Sequence, residues 1–376
     1  MSRIRRLVER LRGFRQEETS QSIPAEKNVM SSHQGQHVEG RSVALQAGRD
    51  VNVGLSYDEV KDIARDVYKS NFIQLSGMAA EVAESRAEEV TDAFLAKLQR
   101  ESPSGFRQAR DPGFQYALYT AQKEHARSGD QDLADLLVDL LVDRTKYEPR
   151  DFIQIVLDES LSTAPKLTNA QLATLAAVFY LRYTKDLGLG SHESFGMILD
   201  KYLAPLLGSI TNSMASFQHL EFSGCGAIAV TEITLERIFA VHYQGLFMKG
   251  FDSSAIEELG PTIVNDSRLF IPCLNDQTKL QVKAVCGNSL KGYLEQLQVS
   301  EEDTVKIVNL CDSNLMSHDE IRDKCISTRP YMAAVFEFWS NSPAKNFSLT
   351  SVGMAIGHAN IKRFAGEFGN LSIWIN

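Results

Sequence analysis

At 376 residues, with 43% hydrophobic and 23% charged side chains, the chain has the composition of a globular protein long enough for two or three units that each bury a core. No apolar run in it approaches the roughly 18 to 20 residues that cross a bilayer. The formal net charge of -9 hides an asymmetry: the first fifteen residues carry six arginines against one glutamate, and the rest, with 33 basic and 47 acidic residues, stands at -14. A body of that sign repels phosphate backbones, which disfavours nucleic acid as its main partner.

In the first fifteen residues, Ile4, Leu7, Val8, Leu11 and Phe14 recur at helical spacing, while Arg3, Arg5, Arg6, Arg10, Arg12 and Arg15 take other positions. The pattern predicts a basic amphipathic helix. One reading lays it in an anionic lipid interface, with the apolar stripe buried and Arg3, Arg6 and Arg10 on headgroups; the other packs it on the acidic body or leaves it frayed. Arginine interrupts the stretch too often for a secretory signal, and the five cysteines form no C-x-x-C pair, so the expectation is a reduced, cytoplasmic protein, peripheral at the inner membrane surface in the lipid reading.

Residues 16–34, rich in Ser, Gln and Glu, read as a polar linker. In 35–54, two Gly-Arg units eight residues apart lead Val43 and Leu45, then Val51 and Val53, in period two. That predicts short strands whose exposed edges seek partners: an oligomerising β element or a local hairpin.

The body opens with a Ser56/Glu59 capping box, followed by Val60, Ile63, Ala64, Val67 and Tyr68 at helical spacing. A second helical stretch runs from about Leu75 to Gln99 and ends at Ser102-Pro103, giving two long helices joined near Gly77 or one kinked helix. Two more flank Ser128-Gly129-Asp130. In the second of these, leucines 133, 136, 137, 140 and 141 form an apolar face, and Asp132, Asp135, Asp139 and Asp143 line up in a stripe, read as a solvated acidic face in preference to a cation site. Thr168 is a candidate N-cap for a helix that is apolar nearly all round, 172–183, and hence central to the core.

A loop at 187–191 and a helix through Phe195 to Leu207 come next. Residues 218–231 take β character, a helix covers 235–247, and 269–274 with 280–285 read as a hairpin. Near the end, Leu349 and Thr350 open a helix whose Gly353 and Gly357 lie one turn apart, allowing another backbone to approach; Gly369-Asn370 ends it, and LSIWIN alternates as a terminal strand. The fold class is α+β, predominantly helical, with short β-hairpins of winged-helix-like character and a small N-terminal β repeat. The division expected is 1–15, 16–34, 35–54, a helical domain over 55–150 and an α+β domain over 151–376.

Phosphate-loop, dinucleotide, nucleophile-elbow and zincin patterns are all missing from the sequence. The pairs His219/Glu221 and His192/Glu193 lack a third group, and Ser317 ahead of His318-Asp319-Glu320 is simpler as a helix cap. Cys225, between two glycines, reads as a packing or turn residue. Lys345, Lys362 and Arg363, with His358 and Asn360, form the one basic cluster of the C-terminal body, suited to an anion or to neutralising acidic neighbours. No cofactor, metal ligand or catalytic residue is assigned, and the balance leans away from an enzyme.

The blocks FQYALYTAQKEHARSGD, LADLLVDLLVDRTK, ESLSTAPKLTNAQLA, LFIPCLND, RPYMAAVFEFW, LTSVGMAIGHANIKR and LSIWIN resemble a family of bacterial proteins named only by locus tags, from about Gly40 onward. A fainter resemblance is to abortive-infection alpha proteins, through Leu133 to Val142, Phe152 to Leu157 and Leu349-Thr350-Ser351-Val352-Gly353, with Arg150-Asp151 where that family has a His-Pro step. It implies a defence role. The expectation is therefore a homo-oligomeric anti-phage or stress-response protein that acts through a phage or host protein and at the anionic membrane surface. The alternatives are a winged-helix-like nucleic-acid-binding regulator and an enzyme of unrecognised class.

Overall fold

The computed structural model describes residues 55–71, 77–257, 259, 263, 266, 268–283 and 287–375. The segments 1–15, 16–34 and 35–54, with the residues assigned there to membrane binding and oligomerisation, lie outside the described residues. Residues 54–376 cluster as one compact unit. No helix among the described residues is long and apolar enough to cross a membrane.

The chain is predominantly helical. Helices α1 (Tyr57–Asn71), α2 (Met78–Glu101), α3 (Pro112–Ser128), α4 (Gln131–Arg144), α5 (Phe152–Thr163) and α6 (Asn169–Tyr183) follow one another. Their ends are chemically marked. The Ser56 hydroxyl accepts from Glu59 N while Glu59 Oε2 accepts from Ser56 N. Gly77 turns the chain at a φ of 53° and Gly129 at 65°, conformations that a side chain would resist. Asp111, Asp130 and Asp151 each accept from a first-turn amide, and Thr168 forms a full capping box with Gln171.

Helices α7 (His192–Tyr202) and α8 (Met214–Phe222) lead to strand β1 (Gly226–Ile228), then α9 (Leu235–His242), β2 (Phe270–Pro272) and β3 (Leu280–Val282). Helices α10 (Gly287–Gln296), α11 (Glu301–Ser313), α12 (His318–Thr328) and α13 (Met332–Asn341), strand β4 (Phe347–Leu349) and α14 (Ser351–Ala365) complete the order. The hairpin expected at 269–285 is present: β2 pairs β3 antiparallel, Phe270 opposite Val282. The other sheet is long-range, with β1 antiparallel to β4 and Gly226 opposite Leu349.

Several element bounds expected from the sequence need correction. Residues 218–222 belong to α8, whose Phe217 and Leu220 are buried while Phe222 is 89% exposed; β structure is confined to 226–228. Helix α9 stops at His242, where Tyr243 leaves helical geometry and a 3-10 turn, Gln244–Leu246, follows. Helix α14 ends at Ala365, four residues before Gly369, because Gly366 turns to a φ of 81°.

Residues 371–375, expected as part of a terminal strand, form none. Asn370 accepts from Ser372 N and opens a 3-10 turn, Leu371–Ile373. Trp374 stacks on Phe368 with centroids 5.4 Å apart and donates its indole N–H to Tyr183 O. Aromatic docking takes the place of strand pairing.

The main apolar core gathers side chains from α1 through α9 and from α12 through α14, so helices before and after residue 150 share it. At its centre α14 crosses α6, where Phe179, Val178 and Ala177 are fully buried. Gly357 makes that crossing, since a Cβ there would stand 3.0 Å from Leu175 O, and Gly353 makes a second close approach, where a Cβ would collide with the Cys225 carbonyl just before β1. A second, smaller core joins Met248, Phe251, Leu269, Val282, Leu290, Leu294, Ile307 and Cys311.

Candidate functional site

A cleft of about 650 Å³ opens where the second core meets the first, a size within the range of small-molecule sites. One wall is the 187–190 loop, with Leu187 and Leu189. The floor is Gly245 and Leu246 of the 3-10 turn, and the opposite walls are Ile271 and Leu274 of the hairpin and Tyr293 and Gln296 of α10. The loop is held locally: Asp186 Oδ1 accepts from Gly188 N, Asp186 N donates to the Tyr243 hydroxyl, and Ser191 with Ser194 starts α7 immediately afterwards.

The polar groups next to the cleft are mostly held by backbone, while Asn275 Oδ1 is buried with no hydrogen-bond partner among the described residues. Gln281, buried, donates from Nε2 to Gly245 O at 2.9 Å and accepts at Oε1 from Leu274 N at 2.8 Å. Asn275 Nδ2 donates to Leu246 O and Met248 O, and His192 Nε2 donates to the same Leu246 O at 2.8 Å. Burial, opposed only in part by that bond, holds the His192 imidazole below its usual range and therefore neutral. Tyr293 donates to Arg268 O. Lys283 is different: its main chain is tied to Leu269 O, but its exposed ammonium has no carboxylate in salt-bridge range among the described residues.

A buried ionic cluster lies elsewhere, between α2, α4 and α14. Lys362 Nζ stands 3.0 Å from Asp143, 3.1 Å from Glu101 and 3.5 Å from Asp139. Lys97 pairs with Asp139 at 2.5 Å, and Lys146 with Asp143 at 2.6 Å. Desolvation pushes the Asp139 carboxyl up, with Lys97 only partly compensating. For Asp143 desolvation is again the largest influence, but Lys362 and Lys146 together outweigh it and hold the carboxyl below its usual value. Burial opposes the Lys362 charge, yet Asp143, Asp139 and Glu101 raise its pKa overall.

This corrects the acidic stripe. Asp132 is exposed and Asp135 half-buried, but Asp139 and Asp143 are buried and lysine-paired. No group of His, Cys, Asp and Glu that could hold a metal ion occurs among the described residues. The C-terminal basic cluster is spent in the same way: Arg363 pairs with Asp132, Lys345 with Glu232, and His358 bonds Gly369 O.

The remaining pairs are dispersed. His219 and Glu221 sit on helix α8, not on one face of a strand; His219 Nδ1 accepts from Gln171, and Glu221 accepts from Ile228 N. Glu193 pairs with Arg329. Ser317 and Glu320 form a capping box, Glu320 also meeting Lys249. Cys225 is fully buried, and burial pushes its thiol up to about 12, which suits packing and not nucleophilic attack.

Sequence reasoning missed the cleft, since its lining comes from four separated segments; the one local signal is a pair of leucines, 187 and 189, in an otherwise polar glycine loop. A family model described only as ":-like" matches residues 54–375, and the chain belongs to that family, whose name is of the locus-tag kind and carries no activity. No curated protein and no solved structure matches the chain.

Proposed function

We propose that this family member is a bacterial defence or stress-response protein in two parts: a helical body that recognises its trigger in the cleft, and a basic leader, residues 1–15, that acts at an anionic membrane surface in a multi-copy assembly. The observation that carries the reading is the cleft itself. Its apolar lining adjoins polar side chains bonded to the backbone around it, Gln281 to Gly245 O and His192 to Leu246 O, an arrangement suited to holding a ligand. The leader supplies the charge contrast, six arginines against a body of -14. The likeness to abortive-infection alpha proteins adds the defence context by analogy.

Dye release from anionic vesicles tests the membrane step. The full-length protein should release dye, and protein lacking residues 1–34 should not; equal release by both refutes it. Light scattering tests the assembly: deleting 35–54, with Val43, Leu45, Val51 and Val53, should lower the molar mass, and an unchanged mass refutes that role.

A further inference from the structure

Within the reading of the body as a recognition module, and resting on it, the chemistry of the cleft specifies what it recognises. The wall is aliphatic, with four leucines and one isoleucine against a single aromatic ring, Tyr293. Stacking therefore gives a planar ring no advantage, and a flexible hydrocarbon chain can follow the surface. Among the described lining residues, Lys283 is the one charged side chain. A phosphate dianion would be matched by several donors or an arginine fork; one ammonium in a lining whose other polar side chains are the neutral amides of Gln281 and Gln296 and the Tyr293 hydroxyl matches a single negative charge. Of these, Gln281 is already used by Gly245 O and Leu274 N and is not free to select a headgroup.

We infer that the cleft binds a medium-chain aliphatic monocarboxylate, its hydrocarbon against Leu187, Leu246, Ile271 and Leu274 and its carboxylate on the Lys283 ammonium.

Calorimetric titration of the full-length protein with decanoate, decanol and decylammonium tests this. Decanoate should bind tightest, and Lys283→Met should weaken decanoate about fivefold, a charge-assisted bond discounted for an exposed ammonium, while leaving decanol unchanged. Leu187→Glu, at a half-exposed position that folding can spare, should weaken decanoate and decanol together. Equal binding of decanol and decanoate, with no effect of Lys283→Met, overturns the carboxylate inference and leaves the recognition reading standing. Binding of none of the three, or binding indifferent to Leu187→Glu, overturns the cleft as the recognition site.

Discussion

Replacing Lys362 with methionine keeps most of the side chain's apolar length and removes one charge from a site where the lysine side chain is only 10% exposed. Three carboxylates then lose a shared cation. Asp143 keeps Lys146, and Asp139 keeps Lys97, but both lysines lie toward the protein surface, with side chains 33% and 20% exposed. Deleting one partner of a buried ion pair costs roughly 3 to 5 kcal/mol, and because each aspartate retains one lysine the lower end applies, about 3 kcal/mol. For a unit of this size that corresponds to a fall of about 6 °C in Tm, at about 2 °C per kcal/mol. Urea unfolding followed by far-ultraviolet circular dichroism measures it. The double variant Lys362→Met/Asp143→Asn should be less destabilised than the two single losses added, since the second change removes the carboxylate that the first strands. A loss under about 1 kcal/mol for Lys362→Met, with additive behaviour in the double variant, would refute the cluster as a buried tie and reduce it to the standing of a surface pair.

Gly353→Ala should destabilise by about 1 to 3 kcal/mol, the usual cost of overpacking, because the new methyl meets the Cys225 carbonyl and not a movable side chain; differential scanning calorimetry checks it. Burial lowers the pKa of His358, whose Nε2 donates to Gly369 O, and Asp143 opposes that shift while Lys362 and Lys146 reinforce it. A lowered histidine pKa means that the unfolded chain takes up the proton first, so the contribution is intact above the unfolded value of about 6.5 and is lost as pH falls below it. His358→Gln should flatten the dependence of unfolding free energy on pH between neutrality and mild acid. Thr168→Ala, which removes a capping box, should cost about 1 kcal/mol by urea denaturation. Cys225 should resist alkylation in native protein at neutral pH and react after unfolding, as a timed iodoacetamide reaction followed by mass spectrometry would detect.

How much of this was legible beforehand depended on the range of the interaction. Caps are local, and Ser56, Thr168 and Ser317 declare themselves within three residues of their partners. The glycine pair in α14 announced a close approach without naming Cys225 and Leu175, because the approaching backbones come from other parts of the chain. The aspartate stripe misled for the same reason: helical period places Asp139 and Asp143 on one face, but the lysines that bury that face arrive from α2 and from 219 residues away in Lys362. One local signal was present. Val138 and Val142 carry the apolar surface of α4 round toward the aspartates, leaving the second half of the helix little room for a solvated side. LSIWIN shows the opposite error, in which alternation over six residues is outweighed by one asparagine that closes a turn.

The crossing of α14 over α6, and its lysine among the acids of α4, bears on how the chain is made. Until α14 leaves the ribosome, the earlier helices hold an apolar seam without its lid and two inward carboxylates lacking their shared counter-charge. A growing polypeptide halted before residue 351 would thus be sticky and electrostatically unbalanced at one spot, the condition under which chaperones bind and proteases cut. Closure of the body waits for α14 to supply that lid and that counter-charge.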